Sequence, residues 1–142
     1  AAERWLFDTL NQLRQDHGLK PVSRFPLFDQ LTRAHSALMG HTGIVALSLP
    51  GQRTVEQAAA ALAHPRAEHF QNVAAAPNAQ DAMEMVALSP AHLKNLLCES
   101  CTHVSIGASL EPVLDRIPRL FVTWELLEFP QGPPREIDDY NR

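Results

Sequence analysis

Glycine is scarce in this chain, with six in 142 residues, and none falls in a phosphate-loop or dinucleotide-loop pattern. G-x-S-x-G and His-Glu-x-x-His are also missing, which removes two common hydrolase signatures. Only two cysteines occur, so a four-cysteine zinc site within the chain is excluded. No apolar run approaches the length of a membrane span. Positive charge is thin as well. Twelve Lys plus Arg stand against sixteen Asp plus Glu, a net charge of −4. The scattered Arg4, Arg14, Lys20 and Arg33 build no basic face, so nucleic acid is not an expected partner.

Apolar residues make up 45% and charged residues 20%, the balance of a globular domain rather than a disordered chain. A chain this long can bury roughly 68% of its unfolded surface and needs no staple to fold. The Ala1-Ala2-Glu3 start is compatible with a processed leader. The stretch from Gln131 to Arg142 is poor in core-forming residues and reads as a tail or linker. The expected organisation is one domain over 1–129, with a flexible segment over 130–142 that would suit a larger multidomain protein.

Leu6, Leu10, Leu13 and His17 recur on one helical stripe, which Gly18 stops. Pro26 opens a second helix with Leu27, Leu31, Ala34 and Leu38 on its face, ended by Gly40, and His41-Thr42-Gly43 reads as a loop. Ile44–Leu49 is a short apolar run turned by Pro50-Gly51. Thr54-Val-Glu-Gln57 is a capping box for an Ala-rich helix to about Ala63, which Pro65 prevents from continuing straight. Phe70–Ala74 fits a short strand or an extended loop. Asn78 can cap a fourth helix through Val86, and Ser89-Pro90 a fifth over Ala91–Leu97. Val104, Ile106 and Ala108 then alternate as a strand, and Leu120–Phe129 is the strongest strand signal. With Glu111–Pro118 as their connection, the two would pair antiparallel. The pattern predicts an α+β or layered α/β/α domain.

Seven histidines are the residues most open to chemistry. His41 lies in the predicted loop, His92 in the first turn of the fifth helix, and His69 borders the Phe70 segment. His17, His35, His64 and His103 read as surface or locally bonded side chains. Near a helix N-terminus the field disfavours imidazolium, so His92 should stay neutral and able to accept or ligate. Gln71 and Asn72 are polar residues in an apolar segment and must find partners if buried; the simplest such role for Asn72 is to hold neighbouring backbone. Cys98 and Cys101 form a C-x-x-C pair open to three readings: a disulfide, two unbridged thiols, or a metal or redox centre.

The order of these pieces resembles the CAP superfamily, shared by cysteine-rich secretory proteins, antigen 5 allergens and pathogenesis-related plant proteins, and especially its bacterial SCP-like branch. Leu10-Asn11-x-x-Arg14-x-x-x-Gly18-Leu19-x-Pro21 is similar to the family's first helix and exit. Leu31-x-x-Ala34-x-x-x-x-Met39 resembles its second helix, and His41-Thr42 its HT or HS loop. Phe70-Gln71-Asn72-Val73-Ala74 falls where the family has G-E-N-[ILV]-A. Ser89-Pro-Ala-His92-Leu-Lys-Asn95-Leu-Leu97, followed by Thr102-His-Val-Ser-Ile-Gly107, resembles S-x-G-H-x-x-N-[IL]-L and T-x-[IV]-G-x-G. Val122-Thr123-Trp124 is loosely similar to the closing W-T-Q-x-F strand. The resemblance spans Trp5 to Leu127.

It implies an α-β-α sandwich with a small antiparallel sheet flanked by helices. It also implies a cleft with two histidines and acidic residues, which in some members binds a divalent metal such as zinc. By motif match the metal-ligating histidines would be His41 and His92, and the ligand cleft would hold His41, Gln71, Asn72 and His92. Gln71 replaces the motif's acid, so any zinc there would be weakly held. The leading expectation is an extracellular, periplasmic or cell-envelope binding domain with no robust chemistry and a small apolar ligand or a protein as its partner. The alternatives are a hydrolase or peptidase using His92 with Cys98, and a purely structural module of a larger surface protein.

Overall fold

The computed structural model describes residues 1–50, 55–62, 67–113 and 116–133. Gly51, the Thr54 cap, His64, Pro65 and the tail from residue 134 onward lie outside these residues. The chain forms α1 (Ala2–Asp16), β1 (Ser23–Arg24), a 3-10 turn (Pro26–Phe28), α2 (Asp29–Thr42) and α3 (Val55–Leu62). After these come β2 (His69–Ala76), α4 (Ala79–Leu88), α5 (Pro90–Leu96), β3 (His103–Val113) and β4 (Arg116–Leu127). The strands make one sheet in the order β1-β3-β4-β2. Its β2–β4 and β3–β4 pairs are antiparallel, while the two-residue β1 runs parallel to β3.

Strand alternation sorts side chains to two faces. Val104, Ile106, Leu120, Val122, Trp124 and Leu126 pack on Leu6 and Leu10 of α1, Met83 and Val86 of α4 and Leu96 of α5. The other face meets α2 and α3: Leu127 packs with Val55, Ala58 and Ala59, and Phe121 with Met39. The molecule is therefore the expected α-β-α sandwich. Phe70–Ala74 is a full strand rather than a loop. The predicted 111–118 connection narrows, because β3 runs to Val113 and β4 begins at Arg116, with a register shift between Glu111 and Val113.

The second helix differs from expectation in its end and in its buried face. It passes Gly40 and stops at Gly43, whose φ of 71° lets its N–H reach the Met39 carbonyl at 2.8 Å. Asp29, Thr32, His35, Ser36 and Met39 are buried, while Ala34 is exposed and Leu31 and Leu38 are only partly covered. The reason lies in the sheet beneath. Ser36 Oγ donates to the Gly107 carbonyl at 2.8 Å and pairs with Thr123 Oγ1 at 2.8 Å. Thr32 Oγ1 lies 3.0 Å from Ser105 Oγ, and Ser105 donates to Asp29 Oδ1 at 2.6 Å. Polar residues of α2 are thus inside because polar residues of the sheet meet them there.

Two charged side chains hold α1 in place. Arg14 is fully buried and donates to the carbonyls of Lys20, Leu96 and Cys98 at 2.8–2.9 Å. Glu3 grips Arg33 with both oxygens and accepts the Ala108 N–H at 3.0 Å on the outer edge of β3.

His103 opens β3 against the paired rings of Phe25 and Phe129, with ring centroids 6.3 and 5.3 Å away. Desolvation lowers its pKa from the usual histidine value. The folded state therefore binds this proton less readily than the unfolded state. The resulting stability is complete above about pH 6.5 and is lost as pH falls through the folded value. Unfolding midpoints taken from pH 7.5 to 5.5 should fall more in the wild-type chain than in His103→Phe. Equal slopes would discount His103 as a source.

Candidate functional site

Gln71 and Asn72 are neighbours on β2 and so point to opposite faces of the sheet. Asn72 is fully buried on the α5 side. Its amide donates to the His92 carbonyl at 2.9 Å, and its side-chain oxygen accepts from Asn95 Nδ2 at 2.8 Å. The Asn72–His92 contact therefore runs through main chain, and its role is to lash β2 to α5. Ser89 sits at the N-cap of that helix without a side-chain capping bond, Pro90 supplying the first-turn geometry. Asn72→Ala should lower unfolding stability by about 2–3 kcal/mol, because it strips partners from the His92 carbonyl and the Asn95 amide. A denaturant titration measures this, and a loss below about 0.5 kcal/mol would remove Asn72 as an anchor.

Gln71 faces α2 and α3. It lies opposite Glu125 on β4, and Glu125 in turn lies opposite Ser105 on β3. Gln71 is 5% exposed and Glu125 fully buried. No described residue hydrogen-bonds to either amide atom of Gln71. His69, two residues earlier on the same face, places Nδ1 3.7 Å from Glu125 Oε1. His35 is buried in α2 above this layer, its Nε2 2.7 Å from the Ala46 carbonyl. The structure thus assembles a buried polar row of Ser105, Glu125 and Gln71, with His69 at its edge. The sequence reading passed over Glu125 and set His35 aside. The available signal was that Glu125 is the one charge in the apolar strand 120–127.

No described contact links this row to His41. It occupies the last turn of α2 and is exposed. Met39, two residues before it, packs on Phe121 and Ala75. Phe121 is four residues along β4 from Glu125, or about 13 Å. His41 lies on α2 and His92 on α5, helices that pack on opposite faces of the sheet, and position 71 carries a neutral amide. Among the described residues no group of three or more His, Cys, Asp or Glu is arranged to hold a metal.

Cys98 and Cys101 are joined in a disulfide that closes the turn between α5 and β3. Cys98 therefore offers no thiol to His92. A shallow notch beside the disulfide is lined by Glu68, Glu99, Ser100 and Glu128, and none of the predicted site residues reaches it. Among the described residues no helix is long and apolar enough to cross a membrane.

The sequence matches the CAP family, described as the cysteine-rich secretory protein family, over residues 7–123. No curated protein matches it. Several solved structures share its fold, among them three bacterial proteins. An extracellular protein containing an SCP domain from Bacillus anthracis str. Ames has a TM-score of 0.73 and 21% identity, over 90% of this chain and 40% of that one. An outer surface protein from Borrelia burgdorferi has a TM-score of 0.67 and 13% identity, over 89% and 92%. A cysteine-rich secretory protein from Staphylococcus aureus has a TM-score of 0.62 and 14% identity, over 90% and 39%. The chain thus spans less than half the length of the Bacillus and Staphylococcus proteins.

Proposed function

The chain belongs to the cysteine-rich secretory protein (CAP) family, and from that premise we propose that it is an extracellular or envelope-associated binding domain that performs no chemistry of its own. The observation that carries this reading is the composition of the buried row. Where the family motif has an acid, this chain has Gln71, an amide that neither takes up nor releases a proton at neutral pH. The nucleophile of the hydrolase alternative, Cys98, is bonded to Cys101. The location is supported by the extracellular Bacillus protein and the outer surface Borrelia protein that share the fold.

A protein partner is favoured over a small apolar ligand by one surface feature. Ile44, Val45 and Leu47, just after α2, are 51%, 46% and 49% exposed and close together in sequence. Such a run suits the surface of a module docked on a neighbouring domain or protein.

The test uses the purified chain with a panel of fluorogenic peptides and nitrophenyl esters, in parallel with a fluorescent fatty acid. The expected result is no turnover above the buffer rate and no saturable uptake of the fatty acid. Turnover abolished by His92→Ala would overturn the non-catalytic reading, and saturable fatty-acid binding would replace the protein partner with an apolar ligand.

A further inference from the structure

On the α2/α3 side of the sheet, β2 and β4 bring His69, Gln71 and Glu125 together. We infer that residue 71 decides whether this face can hold a divalent cation, and that glutamine there keeps the cation out. His69 Nδ1 and Glu125 Oε1 are 3.7 Å apart. Two ligands of a tetrahedral zinc at 2.0–2.1 Å would be about 3.4 Å apart, so a shift of a few tenths of an ångström makes the two a ligand pair. Position 71 supplies the third corner. It lies directly across from Glu125, where Cβ atoms are about 5 Å apart, and two residues along the same face from His69.

The occupant of that corner is an amide. Its oxygen carries no charge, and its nitrogen, held by resonance, is no ligand at all. Among the described residues no third imidazole, thiolate or carboxylate joins this pair. The Gln71 side chain is nevertheless 5% exposed with no described hydrogen-bond partner, so the corner is formed and already sheltered. Neither His41 nor His92 takes part. The inference and the binding role proposed above both draw on Gln71, but zinc affinity tests the one and turnover the other.

The experiment is calorimetric titration of zinc chloride into the wild-type chain, Gln71→His, Gln71→Glu, and Gln71→His combined with His69→Ala. Gln71→His adds a neutral ligand and no buried charge at neutral pH. It should bind one zinc per chain at least roughly 100-fold more tightly than wild type, and the added His69→Ala should abolish the gain. Gln71→Glu sets a second carboxylate beside Glu125 and can unfold the chain. For that variant the readout is zinc-dependent recovery of near-ultraviolet circular dichroism. A folded Gln71→His with wild-type zinc affinity overturns the inference. A wild-type chain that binds zinc one-to-one and loses it with His69→Ala overturns it equally. If Gln71→Glu stays unfolded with zinc present, Gln71→His alone decides.

Discussion

Gly107→Ala is expected to lower unfolding stability by about 3 kcal/mol or more, and the melting temperature by roughly 10 °C. A Cβ on Gly107 would fall onto the backbone of Thr32 and Arg33 in α2, with Arg33 Cα 2.7 Å away. Backbone cannot rotate aside as a side-chain tip can. The helix would have to lift from the sheet, and four short contacts oppose that: Ser36 with Gly107 and Thr123, Thr32 with Ser105, and Ser105 with Asp29. Lifting would leave those hydroxyls buried and unpaired. Gly18→Ala is the control. Gly18 has a φ of 74° and nothing within 4 Å of an added Cβ, so its cost is local strain of about 1–2 kcal/mol. Thermal and urea unfolding of both variants separate the two mechanisms. A Gly107→Ala change no larger than that of Gly18→Ala would mean α2 does not sit as close to the sheet as described.

Arg14→Met is expected to cost about 3–5 kcal/mol, a large part of the stability of a typical domain. The methionine keeps most of the apolar stem. It loses the fork that joins three carbonyls: Lys20 after α1, Leu96 at the end of α5, and Cys98 in the disulfide turn. Burial pushes the Arg14 pKa down, yet a guanidinium stays charged across the physiological range, so the fork acts as a fixed cation. Hydrogen bonds from a charged donor are worth about 1.5–3 kcal/mol each, and stranded buried carbonyls add to the loss. Arg14→Lys should recover less than half of the deficit, because one ammonium cannot reach three acceptors in the plane of a fork. Urea unfolding measures both variants. Full recovery by lysine would show that charge, rather than geometry, holds this corner.

Arg14 also marks a limit on what the sequence could reveal. It follows Leu6 and Leu10 at the same helical interval, and that apolar stripe was legible as a helix. That an arginine would complete the stripe from inside was not, since two of its three carbonyl partners lie more than eighty residues away. The same holds for α2. Leu27, Leu31, Ala34 and Leu38 have the right spacing for a core face, yet Asp29, Thr32 and Ser36 are buried in their place. A hydroxyl-lined helix face becomes a core face only when the sheet supplies hydroxyls to meet it, and no local pattern encodes that match. Strands β3 and β4 were readable because alternation is a local property. The site was readable in part. Motif order drew out Gln71, Asn72 and His92, but order along the chain does not state which side of a sheet each residue serves. Glu125 was missed because its neighbours, Gln71 and Ser105, come from two other strands.

The Glu3 carboxylate has a consequence for how copies of the domain meet one another. On β3 the outward N–H groups belong to alternate residues, and β1 covers the strand only at His103 and Val104. Beyond that cover, Ala108 gives its N–H to Glu3, and Pro112 has none to give. An extended chain arriving at this edge would meet an ion-paired carboxylate at one rung and a proline at the second rung after it, so it could not zip along. The salt bridge that pins α1 is thus also a seal. It leaves the domain free to be crowded without growing its sheet into a neighbour's.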